Sequence, residues 1–209
     1  MLFPYVRREC AAFLKAHCEE PATKAACERI AKDAGVASPA SQETIVREVF
    51  RLMDGDVKAT GLKELQGLIW ERGFLSSELR AHVYSDVEPA LNAWRAAGMD
   101  VRIYSSGSIA AQKLFFGHTE AGDLLGFFRG HYDTTSGPKK VVGSYQTIAA
   151  AMGYPPSEIL FVSDLTAELN AAREAGMATA KSVRPGNAVE PDAGHTAITD
   201  FSQITLAKG

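Results

Sequence analysis

Ser105-Ser106-Gly107-Ser108 follows the apolar run Val101–Tyr104 and precedes a helical pattern, which sets small hydroxyls and backbone amides at a helix N-terminus. That is a natural cradle for an anion; Ser105 could equally serve as the helix cap. Ser163-Asp164-Leu165-Thr166-Ala167-Glu168 follows a second apolar run, Ile159–Val162, and offers carboxylates at a strand end. Carboxylate oxygens suit a hard cation such as Mg2+, although Asp164 could also cap its own helix. Between these stretches, Asp133-Thr134-Thr135-Ser136-Gly137-Pro138-Lys139 brings a lysine to the start of a helix. Its ammonium either reaches a bound phosphate or is solvated at the surface. Hydroxyl, lysine and carboxylate in that order, on one edge of one sheet, would meet the needs of phosphoryl transfer together.

The elements that must position these residues fall into two kinds. Up to about residue 85 the apolar residues keep helical spacing: Phe3, Val6, Cys10, Phe13 and Leu14, then Ile45, Val46, Val49, Phe50, Leu52 and Met53, then the stretch Leu62–Trp70. The loop Gly35–Ser41 separates the first helices from the next, with Ser41 or Ser38 as a plausible N-cap. After residue 85 strand and helix alternate. Asp86 is expected to cap a helix through Val87, Leu91 and Trp94 that ends at Gly98. A strand at Val101–Tyr104, a helix from Ser108 to about Phe116 and a helix from about Lys140 to Met152 follow. Then come the strand Ile159–Val162, a helix through Glu168 and Ala172 to Gly176, and a strand at Ala178–Val183. Alternation at such short intervals predicts an α/β fold with a parallel sheet and right-handed crossovers. The expected division is a helical domain over 1–85 and a Rossmann-like core over 86–209, with ligands held beyond the carboxyl ends of the strands.

Composition excludes several other classes. Apolar residues make up 46% of the 209, charged residues 22%, and the formal net charge is -3. No dense Lys/Arg block or basic stripe points to nucleic acid. No run of about 18 apolar residues is available to span a membrane, and the N-terminus lacks the basic start and apolar run of a signal peptide. Cys10, Cys18 and Cys27 have no C-x-x-C spacing, so free thiols in a reducing cytoplasm are expected rather than a metal site. A dinucleotide-dependent oxidoreductase would need a Gly-x-Gly-x-x-Gly turn after an early strand, which Ser106-Gly107-Ser108 does not supply. A small-molecule partner remains.

The order of Ser105, Lys139 and Asp164 resembles motifs two, three and four of the haloacid dehalogenase superfamily. Ile103–Ser108 with Ala111–His118, Tyr132-Asp133-Thr134 with Gly137-Pro138-Lys139, Ser144-Tyr145 and Val183–Asn187 are similar to its enolase-phosphatases. So are Leu62-Lys63, Gln66-Gly67 and Trp70 in the helical half, so the resemblance covers almost the whole chain. It implies a Rossmann-like parallel core with an α-helical cap closing over the substrate. It also implies Mg2+ as cofactor, a small phosphate ester as substrate, a monomer, and conversion of 2,3-diketo-5-methylthiopentyl phosphate to the acireductone of methionine salvage. Ser105 and Ser106 would bind the phosphoryl oxygens, Lys139 would neutralise charge on the phosphate and the attacking carboxylate, Asp164 would bind Mg2+, and Glu168 would support the loop or the metal's water shell.

The family's first motif, a strand ending in Asp-Ile-Glu-Gly-Thr-Thr, is expected upstream of Met1, between the strands that end at Ser105 and Asp164. Neighbouring strands lie about 4.8 Å apart, so without it those two would be separated by roughly twice that. Asp54-Gly55-Asp56 looks like the Asp-x-Asp core of that motif, but it follows helical spacing, which predicts a turn instead. The 209 residues alone are therefore expected to fold poorly and to turn over no phosphate, the full-length form being the enzyme. The alternatives are an inactive relative that binds a phosphorylated ligand, or a phosphatase for another small phosphate ester.

Overall fold

The computed structural model describes residues 2–37 and 39–205. The chain divides into two compact units, one of Met1–His82 with Leu114–Glu120, the other of Val83–Lys113 with Ala121–Gly209.

The first unit holds four helices: α1 (Leu2–His17), α2 (Pro21–Asp33), α3 (Gln42–Asp54) and α4 (Thr60–Leu75). Apolar residues recurring at helical spacing turn one face of each helix inward: Val6, Cys10 and Leu14 on α1, Ile45, Val49 and Leu52 on α3, Leu62, Leu65 and Ile69 on α4. Leu114 and Phe115, distant in sequence, pack on the same core. Pro21 opens α2, where its missing N–H costs nothing, and the Ser41 hydroxyl accepts from Thr44 N (3.2 Å) to cap α3. Ser38, the other candidate cap, lies outside the described residues. Gly73 on α4 admits the ring of Tyr5, which a Cβ would meet at 2.6 Å. Asp54 is the last residue of α3, Gly55 its C-cap, and Asp56 follows in the left-handed region (φ 50°). Asp54-Gly55-Asp56 is thus a helix end, with Asp54 paired to Arg7. The three cysteines are free, and burial pushes the Cys10 and Cys27 thiols up to about 11. Among the described residues no helix is long and apolar enough to cross a membrane.

In the second unit the order is α5 (Val87–Ala96), β1 (Val101–Tyr104), the start of α6 (Ile109–Gly117), β2 (Phe128–Tyr132), α7 (Val142–Met152), β3 (Leu160–Ser163), α8 (Thr166–Glu174), β4 (Ala178–Ser182) and β5 (Thr196–Ile198). Gly98 (φ 73°) and Gly153 (φ 78°) stop α5 and α7, as their positions predict. β1 pairs in parallel with β2, Ile103 opposite His131 and Tyr104 opposite Tyr132. β3 pairs in parallel with β4, and β4 with β5.

The described strands form two sheets, β1-β2 and β3-β4-β5, a separation of the kind expected between the strands that end at Ser105 and Asp164. The division falls between β1 and β3, each of which is bonded to a neighbour along one edge only. Burial agrees with that division. Inner strands of a parallel sheet are normally covered on both faces, yet all four β1 residues are only half-buried and Leu160 of β3 is 42% exposed. Tyr104, Tyr145 and Phe161 pack their rings together beside the gap, at 4.9–6.4 Å between centroids.

Asp86 corrects an expectation. It occupies the N-cap position of α5 but makes no side-chain cap bond. Its carboxylate takes both Arg184 guanidinium nitrogens and Phe201 N (2.8 Å), and the rings of Tyr84 and Phe201 flank the Arg184 cation. A bidentate charged pair outcompetes one backbone N–H for the same oxygens.

Candidate active site

The loop after β1 is shaped by residues other than the serines. Ser105 is half-buried; its N–H donates to Tyr132 O (3.1 Å), and its hydroxyl accepts from Gly107 N (3.2 Å) within the turn. The helix-capping alternative falls to Ser108, whose hydroxyl accepts from Ala111 N (3.2 Å). Ser106 is exposed at the bend. Beneath them lies buried Gln112. Its amide NH2 donates to Gly107 O (2.9 Å) and Tyr132 O (2.8 Å), and its oxygen accepts from His131 Nδ1 (3.1 Å). Burial, with the nearby Lys113 charge, holds His131 below its ordinary pKa. Buried Asp133 joins the two loops: one carboxylate oxygen accepts from Ile109 N at the start of α6 (3.2 Å), the other from Thr135 N (2.9 Å) and Thr135 Oγ1 (2.6 Å).

Lys139 and Glu168 come together. The ammonium lies 2.5 Å from Glu168 Oε2, with side-chain exposures of 20% and 6%. Glu168 Oε2 also accepts from Ser163 Oγ (2.8 Å), whose own oxygen takes Leu165 N (3.2 Å). A charge so nearly buried is tolerated because it is paired and hydrogen-bonded. The Lys139 ammonium also stands 5.7 Å from the ring centre of Tyr104, the residue before Ser105.

Asp164 sits just past β3 and does not cap α8. The first N–H of that helix, Thr166 N, donates to Glu190 instead (2.7 Å), and the Thr166 hydroxyl donates to Pro191 O (2.6 Å). Asp164 Oδ2 accepts from Asn187 Nδ2 (2.6 Å). Asn187 is itself fixed by a turn, Arg184-Pro185-Gly186-Asn187, with its N–H on Arg184 O and its side-chain oxygen on Arg184 N (both 3.1 Å). Gly186 at φ 91° supplies the conformation such a turn requires.

Among the described residues Asp164 Oδ1 makes no hydrogen bond, so it remains open to a cation. No three acidic, histidine or cysteine side chains cluster as a metal site among them. Mg2+ is commonly held by one or two carboxylates, substrate phosphate and water. Asp164 fits as one such ligand, while Glu168 is committed to Lys139 and Ser163.

The profile of haloacid dehalogenase-like hydrolases matches residues 7–176. Enolase-phosphatase E1 of Sorangium cellulosum is 45% identical over 204 residues, covering 97% of this chain and 88% of that protein. Enolase-phosphatase E1 of Pseudomonas syringae pv. syringae is also 45% identical, covering 99% and 89%. This chain is a haloacid dehalogenase-like hydrolase of the enolase-phosphatase family. The crystal structure of the UTR4 protein of Saccharomyces cerevisiae superposes with a TM-score of 0.81 at 31% identity, covering 98% of this chain and 91% of that one. A haloacid dehalogenase phosphatase from Thermococcus onnurineus shares the fold at a TM-score of 0.60 and 16% identity, covering 97% and 89%.

In this enolase-phosphatase family member, then, Lys139 and Glu168 are in direct contact, while Ser105, Ser106 and Asp164 stand at the carboxyl ends of β1 and β3. Gln112, Asp133 and Asn187 were assigned no role from sequence. Each lies inside a stretch that carries the family resemblance, and that was the available signal.

Proposed function

We propose that this chain belongs to an Mg2+-dependent phosphatase that acts on a small phosphate ester. Its substrate is 2,3-diketo-5-methylthiopentyl phosphate, and its product the acireductone of cytoplasmic methionine salvage. The observation that carries this reading is the Lys139–Glu168 pair, its lysine half-buried and its glutamate buried, beside the β1 and β3 strand ends on a chain 45% identical to an enolase-phosphatase. Ser105 and Ser106 hold phosphoryl oxygens with hydroxyl and amide. Lys139 shares its charge between Glu168 and the phosphate, and Glu168 keeps the lysine in place when no phosphate is present. Asp164, steadied by Asn187, offers its free oxygen to Mg2+, which when bound offsets phosphoryl charge. The nucleophilic aspartate belongs on a strand paired between β1 and β3. The helical unit acts as the cap that selects substrate, and the enzyme works as a monomer.

The unpaired inner edges of β1 and β3 favour a second reading, a phosphate binder without turnover. Protein isolated from its natural source decides between them. Release of inorganic phosphate from the diketo phosphate, with acireductone formed alongside, supports the enzyme; binding without release supports the alternative. In the active form Asp164→Asn should reduce Mg2+-dependent phosphate release by at least about a hundredfold at limiting Mg2+, on the scale of losing an essential electrostatic contact. Unchanged activity there removes Asp164 from the metal site.

A further inference from the structure

We propose that Tyr104, Ser144 and Tyr145 are positioning residues for Lys139, their hydroxyls gripping three consecutive carbonyls so that the ammonium is held at one station beside Glu168. The functional meaning rests on the reading of Lys139 as the phosphate-binding lysine. The Tyr104 hydroxyl donates to Gly137 O (2.8 Å), the Ser144 hydroxyl to Pro138 O (2.8 Å), and the Tyr145 hydroxyl to Lys139 O (2.6 Å). These carbonyls precede α7 and lie outside its helical ladder; Pro138 O accepts from Val141 N (3.1 Å), and each of the three takes a side-chain donor from the end of β1 or the first turn of α7.

A lysine side chain is a flexible stem carrying a point charge. Two things can restrict where its ammonium lies: a fixed Cα and partners for its charge. Here both are supplied, and by overlapping residues. Tyr104 fixes the backbone through its hydroxyl and faces the ammonium with its ring, 5.7 Å from the centroid. Glu168 takes the charge at 2.5 Å. Burial, reinforced by the Glu168 carboxylate, pushes the Tyr145 phenol far above its ordinary value, so it remains a neutral donor. Burial raises Tyr104 as well. Gly137 completes the arrangement. At φ 121° it occupies backbone space reserved for glycine, and an added Cβ would run into the Ser144 hydroxyl.

Competitive acetylation of lysines by an activated ester, quantified residue by residue by mass spectrometry, tests this. Lys181 is the internal control, because it is buried in the same unit and bonded to Asp192 and the Glu190 carbonyl. Tyr145→Phe is expected to raise the labelling rate of Lys139 about fivefold, the population change that losing one hydrogen bond of ordinary net strength allows. Tyr104→Phe and Ser144→Ala should act in the same direction, with Lys181 unchanged in all three. Ser144→Ala decides the matter if either tyrosine variant fails to fold. Unchanged Lys139 labelling overturns the proposal, and so does an equal rise at Lys181, which would signal general loosening. Inorganic phosphate should slow labelling of Lys139 in the unaltered protein, and less so in Tyr145→Phe. If the variants free Lys139 but phosphate never protects it, the clamp stands and the phosphate role of Lys139 fails.

Discussion

The helices of the first unit and the strands β1 and β3 of the second bury their apolar residues to very different degrees. On the four helices the inward positions are sealed, Val6, Ile30, Val49, Leu65 and Ile69 among them. In the sheet unit the residues of β1 are all half-buried, and β3 begins with an exposed leucine. Each α-helix satisfies its backbone internally and needs neighbours only for one apolar stripe. A strand depends on its neighbours for the backbone as well, so a sheet divided in two leaves both side chains and peptide groups wanting. The helical unit is complete as a packing problem; the sheet unit is not.

The largest effect that can sharpen this contrast is to supply a strand. A segment bearing the family's Asp-Ile-Glu-Gly-Thr-Thr, joined ahead of Met1, is expected to raise phosphate release at least about a hundredfold. It should also slow hydrogen exchange at the amides of β1 and β3. Exchange that stays unchanged in both strands breaks the comparison. Next in size, Leu65→Ala should cost the helical unit about 2–5 kcal/mol, the range for emptying a sealed site, measured by urea unfolding. Ile103→Ala on β1 should cost clearly less, and equal costs would mean that the half-burial of β1 is of no energetic consequence.

The smallest effect concerns acid. Burial opposes the ionised form of Asp86, but Arg184 and the Phe201 N–H outweigh it and hold the carboxyl below its ordinary value. The stability it contributes is present above the unfolded value of about 3.9 and disappears as pH falls through the lower folded one. Asp86→Asn should therefore lose stability at neutral pH and show a flatter acid limb below about pH 4. An acid limb as steep as that of the unaltered protein would clear Asp86 of the role.

Much of the sheet unit could be anticipated from local pattern. Val101–Tyr104 is a strand at the residues expected, and Gly98 and Gly153 end helices because only they adopt the left-handed conformation cheaply. The helix expected from about Lys140 starts at Val142. Gly137, Pro138 and Lys139 ahead of it have their carbonyls claimed by hydroxyls of Tyr104 on β1 and of Ser144 and Tyr145 in the first turn of α7. β2 escaped notice because Phe-Arg-Gly-His-Tyr neither alternates nor avoids glycine, and β5 because three residues carry no period. Lys139 and Glu168 were identified by order along the chain, but their contact was not. Gln112, Asp133 and Asn187 act through bonds to backbone or carboxylate brought near only by folding, which no spacing rule reports.

Asp86 and Arg184 stand 98 residues apart in sequence, and that separation bears on the timing of synthesis. At about 5–20 residues per second on a ribosome, roughly 5–20 s pass between the appearance of the acid and that of its base. Over that interval α5 begins with an unpartnered carboxylate, while α1 to α4 have already emerged with most of their shared core. The C-terminal segment then arrives as a latch: Arg184 closes on Asp86, and three residues later Asn187 reaches Asp164. A ribosome that stalled just short of Arg184 would leave a nascent chain in which the Asp164 carboxylate still lacks its amide partner, Asn187.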